Sequence, residues 1–237
     1  MRSESTMLDT ADGPMRVYEA APDSASHAVV VVQEAFGVNA HIEDVTRRFA
    51  DAGYHAVAPD FFHRAGGGTA EYGDWDAVMK LFGSVSGDAA VLADVDTALD
   101  HLRASGFADD HIAVVGFCFG GRVAFMVALE HRLGAAVGFY GGGIVTGRFP
   151  QFPPLVDRVG ELQTPWLGLF GDDDQSIPVD DVEALRTALE GASFDSEIVR
   201  YAGAGHGFHC DVREGYHEEA ATDAWSRTLD WFARHLA

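Results

Sequence analysis

The segment Gly116-Phe117-Cys118-Phe119-Gly120-Gly121 carries the sharpest chemical signal in the chain. It follows the apolar run His111–Gly116 and precedes a helical pattern over Arg122–Glu130. A thiol on a tight strand-to-helix turn, with a glycine two positions either side, has the layout of a nucleophile elbow. The glycines let the helix approach the strand, and the central side chain projects above the sheet. The positive end of the following helix favours thiolate over thiol, and the thiolate is the attacking species. Free cysteine is more often plain core. The strand–turn–helix setting tips the balance toward a nucleophile.

Such an elbow needs an acid and then a histidine later in the chain. Gly171-Asp172-Asp173-Asp174-Gln175-Ser176-Ile177-Pro178 follows a strand-like run, so an acid there sits at a strand's carboxyl end. Gly205-His206-Gly207-Phe208 follows the next one. Cys118, Asp174 and His206 then make a triad in which His206 takes the thiol proton and Asp174 fixes the imidazole. Asp172 and Asp173 are rival acids, better read as solvated loop charges. With 11 histidines in the chain, it is order and glycine setting that single out His206.

Short apolar runs alternating with helical patterns must position these groups. Strands are expected at His27–Gln33, Tyr54–Pro59, His111–Gly116, Ala135–Tyr140, Trp166–Gly171 and Ser196–Tyr201. Helices are expected at His41–Ala52, Ala89–Arg103, Arg122–Glu130, Pro178–Glu190 and His217–Leu236. This alternation implies βαβ units and a mostly parallel sheet, an α/β fold with helices on both faces. A strand near Met15–Ala20 adds an antiparallel edge. Residues 1–237 read as one domain. His63–Gly73 reads as a mobile loop, and Gly141–Gln163 as a long loop of the kind that borders a pocket.

The chain has 237 residues, 37 acidic against 16 basic, and a formal net charge of −21. Lys80 is the single lysine, which suits either a halophile or a GC-rich genome. A negative field repels nucleic acid and anionic lipid. No apolar run reaches the roughly 18 residues of a membrane span. The polar start lacks an apolar signal core, so a cytoplasmic location is expected. Two cysteines cannot make a disulfide framework.

In combination, these residues resemble the dienelactone hydrolase family of α/β-hydrolases. The resemblance runs from Val29 to the closing helix. Besides the three motifs above, it rests on Gln33-Glu34-Ala35-Phe36-Gly37-Val38-Asn39, Ala58-Pro59-Asp60 and Gly138-Phe139-Tyr140-Gly141. It implies an α/β-hydrolase fold, the triad Cys118, Asp174 and His206, and a Glu34 carboxylate that switches the thiol between tucked and activated states. It also implies an oxyanion hole from the backbone N–H groups of Ala35 and Phe119, and a pocket at Phe36, Trp75, Met79, Phe82, Tyr140 and Cys210. The reaction would be hydrolysis of an ester or lactone through an acyl-thioester, without metal or cofactor. A monomer is expected, with a homodimer as the alternative.

The best-known members hold a substrate carboxylate with two arginines. The matching positions here are Trp75 and Cys210, and a tyrosine and a tryptophan of that pocket become Met79 and Phe82. The anion site is therefore lost, or rebuilt from Arg64, Arg148 or Arg213, and a neutral or less anionic substrate is expected. Two rival readings are a catalytically silent binding protein and a metal or redox site. His206, His209 and Cys210 cluster, but they lack a second ligand pair for zinc. Cys210 at a pocket position could pair with Cys118 under oxidation.

Overall fold

The computed structural model describes residues 1–237. The strands are β1 Arg2–Thr10, β2 Gly13–Ala21, β3 Ala28–Val32, β4 His55–Pro59, β5 Ile112–Phe117, β6 Ala135–Phe139, β7 Trp166–Gly171 and β8 Ser196–Tyr201. They form one sheet in the order β1-β2-β4-β3-β5-β6-β7-β8. The hairpin β1–β2 joins β4 antiparallel, and β4, β3 and β5 to β8 run parallel. The helices are α1 Ala40–Asp51, α2 Trp75–Phe82, α3 Asp88–Ala104, α4 Phe119–Glu130, α5 Val179–Leu189 and α6 Glu218–His235. The architecture is α/β with a mostly parallel sheet.

Helices α1 and α6 meet on one face, where Phe49 lies 4.5 Å from Trp225 and 5.9 Å from Phe232. Helices α3 and α4 pack together on the other, α4 over β5 and β6. With both faces covered, β3 (AVVVV) and β5 (IAVVGF) are buried throughout, which is why they read as unbroken apolar runs. Asn39 and Asp74 cap α1 and α2, accepting from the amides of Ile42 (3.1 Å) and Ala77 (3.0 Å).

Three features differ from expectation. The Met15–Ala20 strand exists as β2, but the sheet edge is β1, whose polar, mostly exposed residues carry no apolar run. Helix α4 begins at Phe119, three residues early. Gly120, which reads as turn, belongs to the helix, and having no Cβ it lets the helix lie against β3, since a Cβ there would collide with the Val32 carbonyl. Finally, the start of the His63–Gly73 segment is pinned. Arg64 pairs with buried Asp94 and with Asp12, each at 2.7 Å, and His63 reaches Asp94 at 3.1 Å.

Candidate active site

Cys118 stands between β5 and α4 with φ 54° and ψ −113°. A non-glycine residue at positive φ is strained, and such strain persists only where the surroundings over-determine it. Here the Cys118 amide donates to the Phe139 carbonyl (3.0 Å), and the Cys118 carbonyl accepts from the Gly121 amide (3.0 Å). Gly116 admits the helix, since a Cβ there would strike the Gly120 carbonyl. The thiol is half-buried and lines a cavity of about 370 Å³.

The next parallel strands bring an acid and a base to the same cavity. Asp174 lies past the end of β7, and His206 past the end of β8. His206 Nδ1 is 2.6 Å from Asp174 Oδ2. Ser176 completes the arrangement. Its hydroxyl and its amide both donate to Asp174 Oδ1, at 2.7 and 2.8 Å, and the hydroxyl lies 3.2 Å from His206 Nδ1. Asp174 is buried. Burial pushes its carboxyl up, but the bonds from His206 and Ser176 outweigh it and hold it below its ordinary value. The rival acids lie elsewhere: Asp172 pairs with Arg200 at 2.7 Å, and Asp173 lines the cavity without bonding His206.

Burial disfavours the His206 cation. The negative charge of the Cys118 thiolate and the bond to Asp174 overcome that and push the imidazole up to about 10. Tyr140 backs the ring at 5.1 Å. The Ala35 amide, at the cavity edge, has no protein acceptor, and the Phe119 amide lies in the first turn of α4, where helical N–H groups lack intrahelical partners. Both are free to face an oxygen at the cavity.

Glu34 is fully buried and makes no hydrogen bond to Cys118. Its Oε2 accepts from the Tyr72 hydroxyl at 3.2 Å, and its Oε1 lies 3.6 Å from Arg213 Nη1 with no hydrogen-bond partner. The Arg213 guanidinium lies 5.0 Å from the Tyr72 ring and 5.7 Å from the Phe36 ring.

Phe36, Trp75, Met79, Phe82, Ala35 and Phe119 line the cavity as the sequence suggests. Tyr140 and Cys210 do not; both are fully buried behind its wall. Cys210 donates to the Tyr72 hydroxyl at 3.3 Å, and burial pushes its thiol up to about 11. Both cysteines are free thiols. Arg148 and Arg213 reach the cavity, whereas Arg64 is committed to Asp94 and Asp12. His206, His209 and Cys210 diverge into three environments: His206 onto Asp174, His209 against Phe117 and Phe139 (5.2 and 5.0 Å), and Cys210 onto Tyr72.

Sequence reasoning missed Ser176, Tyr72 and Arg122. Ser176 sits two residues after Asp174, a spacing at which an Asx turn forms. Nothing in local spacing points to Tyr72. Arg122, one turn into α4, grips both oxygens of Asp88 (2.5 and 2.9 Å) and the Pro153 carbonyl (2.7 Å), tying the elbow helix to the 141–163 loop.

The family model described as "Dienelactone hydrolase family" matches residues 15–236. A Yersinia pestis protein named "Putative carboxymethylenebutenolidase" is 39% identical over 236 residues, covering 97% of this chain and 87% of its own length. The Pseudomonas putida "Carboxymethylenebutenolidase" is 31% identical over 209 residues, covering 86% of this chain and 84% of its own. Among solved structures, a Klebsiella pneumoniae protein titled a "Putative Dienelactone Hydrolase" superposes with TM-score 0.89 at 40% identity, over 98% of both chains. The chain belongs to the dienelactone hydrolase family, a family of carboxylic ester and lactone hydrolases, on the α/β-hydrolase fold.

Proposed function

We propose that the chain hydrolyses an ester or lactone through Cys118, His206 and Asp174, with an acyl-thioester intermediate. The observation that carries this reading is the Asp174–His206 bond opening onto the cavity that the strained Cys118 also lines.

The charge arrangement suggests the sequence of proton transfers. In the activated state the Cys118 proton has passed to His206. The thiolate attacks the carbonyl, and the oxyanion gathers at the Ala35 and Phe119 amides. Collapse of the tetrahedral adduct expels the alkoxide, which takes the proton from His206. Acylation removes the thiolate charge, one of the causes of the raised imidazole, so His206, having given up its proton, stays neutral while the thioester exists. Neutral His206 then takes a proton from water as the oxygen adds to the thioester, and collapse regenerates the thiolate and imidazolium. Asp174 holds the imidazole orientation through both steps. Glu34 acts from behind, as a buried negative charge beside the thiol site. Glu34→Ala is expected to shift the pH profile of Cys118 alkylation, and an unchanged profile removes Glu34 from the mechanism.

A neutral or weakly anionic substrate fits the net charge of −21 and the loss of arginine at Trp75 and Cys210. One observation favours a more anionic one: the Arg148 side chain lines the cavity without a carboxylate partner. If the overall field repels anionic esters, their turnover rises with salt while that of neutral esters does not. The cavity is built from one chain, so a monomer suffices. A nucleophilic thiol must stay reduced, which suits the cytoplasm.

The test is p-nitrophenyl acetate turnover before and after Cys118→Ala. The variant is expected to lose about 10⁴-fold or more in kcat. Equal rates contradict the covalent reading and favour a silent binding protein.

A further inference from the structure

We propose that the cavity contains an aryl subsite, in which Phe82, Phe119 and Phe152 favour esters whose acyl part carries a flat aromatic ring. This rests on the ester-hydrolase reading above. The three rings come from three segments: Phe82 from the end of α2, Phe119 from the first turn of α4, and Phe152 from the 141–163 loop. They meet nearly at right angles. Phe82 and Phe119 are 4.8 Å apart at 77°, Phe119 and Phe152 5.3 Å at 73°, and Phe82 and Phe152 6.3 Å at 78°. All three line the cavity, Phe119 as the more open ring and Phe82 and Phe152 as nearly buried backing (8% and 1% exposed), and aromatic rings attract one another edge to face. A planar aromatic guest meets the Phe119 ring in this way, with Phe82 and Phe152 packed behind it. A saturated ring of similar volume finds only dispersion.

The placement points to the acyl side of the substrate. Phe119 directly follows Cys118, and its amide is one of the two that face the oxyanion. Its ring is therefore fixed by a single residue step from the acylated sulfur. The wall is also held rigid. The Arg122 guanidinium lies 5.5 Å from the Phe152 ring, and its donors are taken by Asp88 and Pro153. Arg122 thus positions the ring and has little charge left for a ligand. The rest of the cavity differs: there Phe36 lies between half-exposed Trp75 and the Arg213 guanidinium, 5.7 Å from each. About 370 Å³ leaves room for more than an acetyl group.

The experiment compares kcat/KM for p-nitrophenyl phenylacetate and p-nitrophenyl cyclohexylacetate, which share a leaving group and nearly a volume. The aryl ester is expected to be favoured by about 2–10-fold, the worth of an aromatic pair beyond its area. Phe152→Leu is expected to bring that ratio close to one. In parallel, 2-phenylacetamide and 2-cyclohexylacetamide compete with iodoacetamide for Cys118, and the aryl amide is expected to protect at lower concentration. A ratio of one or below in the unmodified enzyme overturns the aryl subsite, and the hydrolase reading then stands on the Cys118→Ala result alone. Preferential protection by the aryl amide without turnover of either ester supports the subsite and overturns the hydrolase reading. Neither turnover nor preferential protection overturns both.

Discussion

His206 and His209 lie three residues apart on one loop and are opposites. His206 opens onto the cavity, bonded to Asp174 and facing Cys118, and its pKa is pushed up to about 10. His209 is buried among Phe117, Phe139 and Trp225, with Nδ1 unpartnered. Burial, with smaller contributions from neighbouring His41 and Arg48, pushes it down to about 3. The same side chain thus becomes a held cation on one side of the loop and a neutral aromatic brick on the other. The difference lies in which charges each ring meets, and that follows from where the chain points after β8. Chemistry at this site depends on partners supplied by β5 and β7 as much as on the histidine.

Asp174→Asn removes the carboxylate that orients His206, and kcat/KM is expected to fall roughly 10²–10⁴-fold in ester hydrolysis assays. The same variant, and independently Cys118→Ser, is expected to lower the His206 midpoint followed by NMR titration, since each removes a cause of the raised value. A midpoint that stays near 10 in both variants places the cause elsewhere.

A smaller effect lies on the packed side, and the two histidines act on stability in opposite directions. For His206 the folded pKa is raised above the unfolded value of about 6.5, so its contribution is full below that pH and is lost as pH climbs through about 10. For His209 the folded pKa is lowered, so the unfolded chain binds the extra proton, and stability is lost as pH falls from about 6.5 toward 3. His209→Phe is expected to flatten the acid limb of a plot of Tm against pH and leave the alkaline limb unchanged. Acid sensitivity identical to the unmodified protein would place the cause in another group, with His41, also lowered by burial, the first candidate.

This contrast also explains what the sequence reveals. Buried parallel strands announce themselves: β3, β5 and β7 are apolar because both faces are covered. Strand β1 does not, since an exposed edge with Arg2, Glu4 and Asp9 has no apolar face to reveal it. Cys118, Asp174 and His206 are legible because each follows a strand end, where chain order fixes spatial order. Tyr72 is not, because its contacts with Glu34, Asn39 and Cys210 join segments that no local pattern links. Family resemblance puts Cys210 and Tyr140 in the pocket. Packing turned Cys210 onto Tyr72 and Tyr140 beneath His206. Equivalence along the chain fixed their neighbourhood but not which side of the wall they face.

Rapid quenching of the enzyme with p-nitrophenyl acetate, followed by peptide mass mapping, tests directly whether Cys118 carries the acyl group while His206 waits as base. One acetyl group is expected on the peptide containing Cys118, accumulating further in Asp174→Asn, where deacylation is slowed. An acetyl group on any other residue, or steady turnover with Cys118 replaced by alanine, contradicts it.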